Sequence, residues 1–201
     1  MPAPAATNPK LTTRNLIDVG VFTALYFVIM WMTGMLGLIA PIFMFVGWAV
    51  GILLNGIVVA LYLARTPKIG ALTIMGVVVG ILLTLTGHYW GVIPGAAILG
   101  LAGDVIIARG PRTTLAKRIP VAYAIFTLVF IAPLLPIFYN ADAYYSDIAT
   151  QMGQEYTDAM RDLFQPWLLI VWTFCLFILG YLGGLLGVRV NRRHFSRAGL
   201  A

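Results

Sequence analysis

Charge in this chain is confined to the joints between long apolar blocks, and that pattern decides most of what it can fold into. Six blocks, at about 16–36, 39–63, 69–85, 92–108, 119–138 and 165–188, run with almost no ionisable residue. An apolar stretch of ~20 residues is what an α-helix needs to cross ~30 Å of hydrocarbon. In lipid a spanning segment must pair its backbone N–H and C=O groups internally, which favours helices. The sequence therefore predicts an all-α integral membrane protein, a six-transmembrane-helix bundle. Only 10% of its 201 residues are charged, against about 25% in a soluble domain, and no stretch is left over for a separate soluble domain.

The joints also give an orientation. Lys10 and Arg14, then Arg65 and Lys68, then Arg109, Arg112, Lys117 and Arg118, then Arg189, Arg192, Arg193 and Arg197 fall in alternate joints; Arg161 is the remaining basic residue. Basic loops stay in the cytoplasm, so both termini are expected to be cytoplasmic, with 84–94 and 139–163 outside. The net charge of +6 then reads as topology and not as a nucleic-acid patch. The expected organisation is a disordered cytoplasmic N-terminus at 1–14, a membrane domain at 15–188 with an external loop at 139–163, and a basic cytoplasmic tail at 189–201. The first block has no clear cleavage site after it and is expected to be a retained helix, not a signal peptide. Cys175, inside the last block, reads as a small packing residue.

The chemistry that is missing narrows the function. The sequence has no phosphate-cradling GxxxxGK[ST] loop, no HExxH and no GxSxG. The acids within the blocks are Asp18 and Asp104, both expected near cytoplasmic helix ends, whereas a proton-coupled carrier keeps an ionisable group near the midplane. No catalytic pair is expected, since His88 and Asp104 fall near opposite faces of the membrane. The candidate recognition residues are His88, Tyr89 and Trp90, at a glycine-flanked break between the third and fourth blocks, and Tyr139, Asn140, Tyr144 and Tyr145 in the long loop. A neutral imidazole can ligate a metal or haem iron, or hydrogen-bond a ligand, and the aromatic rings offer flat surface for stacking. The same residues also read as an interfacial aromatic belt and a solvated acidic loop. Ile148, Met152, Tyr156, Met160 and Phe164 recur at near-helical spacing, which predicts one short amphipathic helix over the outer face.

About 200 residues, six spans and no ATPase motif resemble the substrate-binding S component of an energy-coupling-factor (ECF) importer. The opening Asn15-Leu-Ile-Asp-Val-Gly-Val-Phe-Thr-Ala-Leu-Tyr-Phe27 and the central Gly87-His88 are similar to S components of the MptD, or Trep_Strep, type. The resemblance implies a non-catalytic subunit of the prokaryotic plasma membrane that captures a scarce micronutrient outside and topples to release it inside. Its partners would be the ECF transmembrane coupling protein and two cytoplasmic ATPases, which supply the missing engine. Gly20 and Ala24 occupy the place of the family's small-residue docking strip. No intrinsic cofactor is implied. The cargo stays open between a vitamin-like small molecule and haem or another metal chelate, with His88 as the candidate iron ligand. The competing reading is a self-sufficient secondary transporter or channel.

Overall fold

The computed structural model describes residues 12–195; of the expected terminal tails, residues 1–11 and 196–201, Lys10 and Arg197 among them, lie outside the described residues. Helix α1 (Thr13–Gly34) begins earlier than the sequence predicts, because Thr12 and Asn15 close a capping box. The Thr12 side chain accepts from the Asn15 N–H at 3.4 Å, and the Asn15 side chain accepts from the Thr12 N–H at 3.1 Å, pairing two donors that a helix start leaves orphaned. Residues 13 and 14, expected to be disordered, are therefore helical. A 3₁₀ turn (Met35–Leu38) leads from α1 to α2 (Pro41–Arg65), which starts on a proline where no N–H is needed.

Helices α3 (Ala71–Leu85) and α4 (Val92–Ala108) form a short antiparallel pair. Helix α5 (Leu115–Thr127) runs on as a 3₁₀ stretch through Leu134. Pro136 then opens a separate short helix, α6 (Pro136–Tyr139), so the helix of the fifth apolar block ends before the expected residue 138. The last long helix, α9 (Pro166–Val190), extends past residue 188 into the expected tail. Among the described residues four helices are long and apolar enough to cross a membrane, and α3 and α4 are shorter apolar ones.

The loop at 139–163 is not one amphipathic helix but two, α7 (Ala141–Met152) and α8 (Gln154–Leu163). Gly153 divides them at φ 87° and ψ 164°, a conformation open essentially to glycine alone. The apolar spacing continues across that break, which is why the sequence reads as a single element.

Six of the helices close into a ring in the order α1, α2, α9, α5, α4, α3 and back to α1. Without a hydrophobic drive inside lipid, helices associate through close backbone packing and interhelical hydrogen bonds. The α2–α9 crossing shows both means. A Cβ on Gly56 or Gly187 would run into the carbonyl of the facing glycine, Gly183 or Gly56, so only glycine permits this approach. Beside it, the Tyr123 hydroxyl donates to the Ile52 carbonyl at 2.7 Å, and the Thr127 hydroxyl to the Leu176 carbonyl at 3.0 Å.

Polar contacts tie one end of the ring, where the basic joints sit. The buried carboxylate of Asp104, on α4, accepts from the backbone N–H groups of Gly70, Leu72 and Thr73 at 2.9, 2.8 and 3.0 Å, and from the Thr73 hydroxyl at 2.6 Å. It thus caps the N-terminus of α3 from a neighbouring helix, where N–H groups lack partners and the helix dipole favours an anion. Asp18 meets Arg65 at 3.9 Å. The Arg118 guanidinium donates to carbonyls at the end of α4 and in the joint after it, including Ile107 and Pro111.

Candidate ligand cavity

At the opposite end, the turn after α3 is built by its own backbone. The His88 N–H donates to the Leu83 carbonyl at 3.1 Å and the Gly87 N–H to the Thr84 carbonyl at 3.1 Å, with Gly87 at φ 94°. That is a Schellman closure, in which a left-handed glycine ends the helix and satisfies its last carbonyls. The Gly87-His88 break is therefore first a helix stop. It also sets the direction of the next residues: the Tyr89 ring folds back over Gly91, where a Cβ would collide with it.

Beneath this turn lies a cavity of about 300 Å³, at the small end of the roughly 300–1,000 Å³ range of small-molecule sites. Its floor and walls come from the interior faces of the ring, among them Tyr26, Trp48, Val79, Phe126 and Phe130. Helices α7 and α8 cover it, contributing Tyr144, Ile148, Gln151, Met152, Tyr156 and Met160. The lid is pinned to the ring by the Tyr156 hydroxyl, which donates to the Gly37 carbonyl at 2.7 Å. Its two helices are joined by Arg161 on α8, whose guanidinium lies 4.6 Å from the Tyr145 ring centre and 3.6 Å from Asp142, both on α7.

The lining carries no Asp, Glu, Lys or Arg. Met30, Met35, Met44, Met152 and Met160 all face it, five of the chain's eight methionines, and such flexible thioethers give a wall that can reshape around its contents. Polar groups gather at the mouth. Thr86 Oγ1 sits 3.2 Å from His88 Nδ1. His88 stays open to solvent on one side, yet the surrounding protein strips enough water to push its pKa below the ordinary 6.5, against a smaller upward pull from the Leu83 carbonyl on the ring itself. The imidazole is thus neutral at neutral pH. Burial raises the Tyr144 phenol, which stays protonated. No group of three or more His, Cys, Asp or Glu that would hold a metal ion occurs among the described residues.

The profile described as hypothetical bacterial integral membrane protein (Trep_Strep) covers residues 13–197. The chain belongs to the Trep_Strep family. It is accordingly a multi-pass membrane protein of bacterial type. No curated protein and no solved structure matches it.

In this Trep_Strep protein, the residues singled out from the sequence divide in two. His88, Tyr89 and Tyr144 line the cavity. Tyr139, Asn140, Trp90 and Tyr145 do not. Tyr139 is exposed and meets the Tyr89 ring edge-on at 6.3 Å, outside the chamber. Trp90 is 63% exposed beside it. Asn140 is exposed, and its carbonyl takes the first helical N–H of α7, from Tyr144. Tyr145 is buried, but one position round the helix from Tyr144, so it packs with Leu134, Ile137, Met160 and Phe164 instead. Gly20 and Ala24 lie on an open face of α1, where a Cβ on Gly20 meets nothing within 4 Å among the described residues. The cavity residues inside the spans, Tyr26, Trp48 and Phe126 among them, carry no sequence signal of their own, because lipid-facing and chamber-facing positions are equally apolar. Gln151 had one: it is a lone amide on the α7 face shared by Tyr144 and Ile148.

Proposed function

We propose that this protein is the substrate-capturing S component of an ECF-type ATP-driven importer. It crosses the bacterial plasma membrane six times, with both termini in the cytoplasm. The observation that carries this reading is the covered, charge-free chamber at the end of the ring away from the basic joints. A chamber so placed collects a scarce micronutrient from outside under a two-helix lid. Because no phosphate-cradling motif occurs in the sequence, the energy comes from partners, an ECF coupling protein and two cytoplasmic ATPases. Gly20 and Ala24, on the open face of α1, form the docking strip. Helices α3 and α4, of 15 and 17 residues, rise only ~22 and ~26 Å, and local thinning of the bilayer accommodates them.

Co-expression with an ECF coupling protein and its ATPases tests the assignment. Co-purification as one complex is the expected result, and a chain that never associates overturns it. Haem held through His88 is a second reading of the cargo. It is favoured by an imidazole and five thioethers around one chamber, since His with Met is a haem-ligand pair. An absorption spectrum decides: a Soret band lost in His88→Ala supports haem, and a colourless protein with an organic ligand rejects it.

A further inference from the structure

Three polar side chains meet on one side of the cavity mouth, while the rest of the wall is apolar or aromatic. Thr86 and His88 come from the α3–α4 turn, and Gln151 comes from α7 on the lid. Gln151 Oε1 lies 4.0 Å from where a Cβ on Gly87 would stand, so the lid amide reaches the turn. The Thr86 hydroxyl has one hydrogen, and it goes to the Leu83 carbonyl at 2.7 Å. Toward His88 Nδ1 that hydroxyl can then only accept. Nδ1 therefore carries the imidazole hydrogen, and Nε2 keeps its lone pair. The mouth thus offers an acceptor at Nε2 and amide hydrogens at Gln151. With no charged side chain in the lining, an ionic group drawn inside would lose its water without gaining a partner.

We propose that the chamber takes an uncharged, flat, mainly apolar molecule with one polar edge, an N–H donor for His88 Nε2 beside a carbonyl acceptor for the Gln151 amide, as in a ring lactam. This rests on the chamber being the capture site of the importer. The apolar body stacks among Tyr26, Trp48 and Phe126, and the methionines adjust to its outline.

The full chain in lipid nanodiscs, titrated with three flat two-ring probes, tests the proposal. Naphthalene has no polar edge, carbostyril is its lactam counterpart, and naphthoate carries a charge. Carbostyril is expected to bind about tenfold more tightly than naphthalene, from two hydrogen bonds of ordinary net strength. Naphthoate is expected to bind no better than naphthalene. His88→Ala and Gln151→Ala each remove most of the lactam advantage and leave naphthalene unchanged; both side chains are exposed, so the variants fold. Equal binding of carbostyril and naphthalene, an advantage that survives both substitutions, or a preference for naphthoate overturns the proposal. If no probe binds at all, the capture chamber falls with it. If the ranking holds but the chain never joins a coupling complex, the importer reading alone is wrong.

Discussion

Replacing Asp104 should unseat α3 and weaken the whole bundle. Four hydrogen bonds converge on this carboxylate: one on Oδ1 from Leu72, and three on Oδ2 from Gly70, Thr73 and the Thr73 hydroxyl. Asp104 itself has no exposed surface. A hydrogen bond to a charged group contributes about 1.5–3 kcal/mol net, so a simple sum overshoots. The wild type also bears the cost of burying the charge, and water can reach Gly70 once the side chain is gone. Removing one member of a buried charged network costs about 3–5 kcal/mol, and Asp104→Ala belongs in that range. Asp104→Asn keeps the shape and separates the contributions. Its oxygen can take the place of Oδ2 and serve Gly70 and Thr73, but its amide N–H₂ would then face the Leu72 donor, leaving a cost of about 1–3 kcal/mol. Reversible unfolding in mixed micelles, followed by circular dichroism, gives both numbers. The expected order is wild type, then Asn, then Ala. If Asn matches wild type, a neutral group serves this position as well as an anion, and the charged cap is wrong.

Other substitutions probe the lid, the packing and the histidine. Tyr156→Phe deletes the latch to Gly37 and should cost about 1 kcal/mol of lid closure, seen as roughly fivefold faster hydrogen exchange over 141–163 with the ring unchanged. Gly153→Ala places a Cβ at φ 87° and should lower thermal stability by about 1–2 kcal/mol; an unchanged melting point would mean that the α7–α8 joint relaxes freely. Gly187→Leu forces α9 off α2 and should abolish the folded, monodisperse protein in detergent, whereas the same change at Gly20, which faces open space, should leave folding intact. For His88 the sign comes from its lowered pKa. The neutral ring is favoured in the folded state, so stability is full above the ordinary value of 6.5 and falls as pH drops through the folded value. His88→Asn should flatten that acid limb, and an unchanged limb would show that His88 is not its source.

How much was legible from the sequence depends on the kind of signal. Helix limits set by charge and glycine were plain: α4 runs over 92–108 as predicted, because Gly91 and Arg109 flank a run that is apolar but for Asp104. Limits set by backbone conformation were not. Gly153 sits inside a continuous amphipathic pattern, and only its φ reveals that the lid has two pieces. The mouth of the chamber could be found, since a histidine between two apolar blocks has few explanations. The chamber itself could not, because periodicity locates a helix face without telling whether lipid, a neighbouring helix or empty space lies against it. Tyr144 and Tyr145 make the point at single-residue scale: adjacent in sequence, one lines the cavity and the other packs beneath the lid. Asp104 was visible as a charge, but its partners lie 31–34 residues away, beyond any local pattern.

The cap that Asp104 gives α3 also bears on how the chain is made. Helix α3 emerges first, only 15 residues long, with its leading N–H groups unpaired until α4 is synthesised. Unpaired donors are costly at the membrane, so α3 has little reason to settle alone. Residues 70–108 are therefore expected to enter as one insertion unit, completed when Asp104 leaves the ribosome. A chain truncated just before Asp104 should leave α3 poorly inserted, while one truncated after Arg109 should retain it.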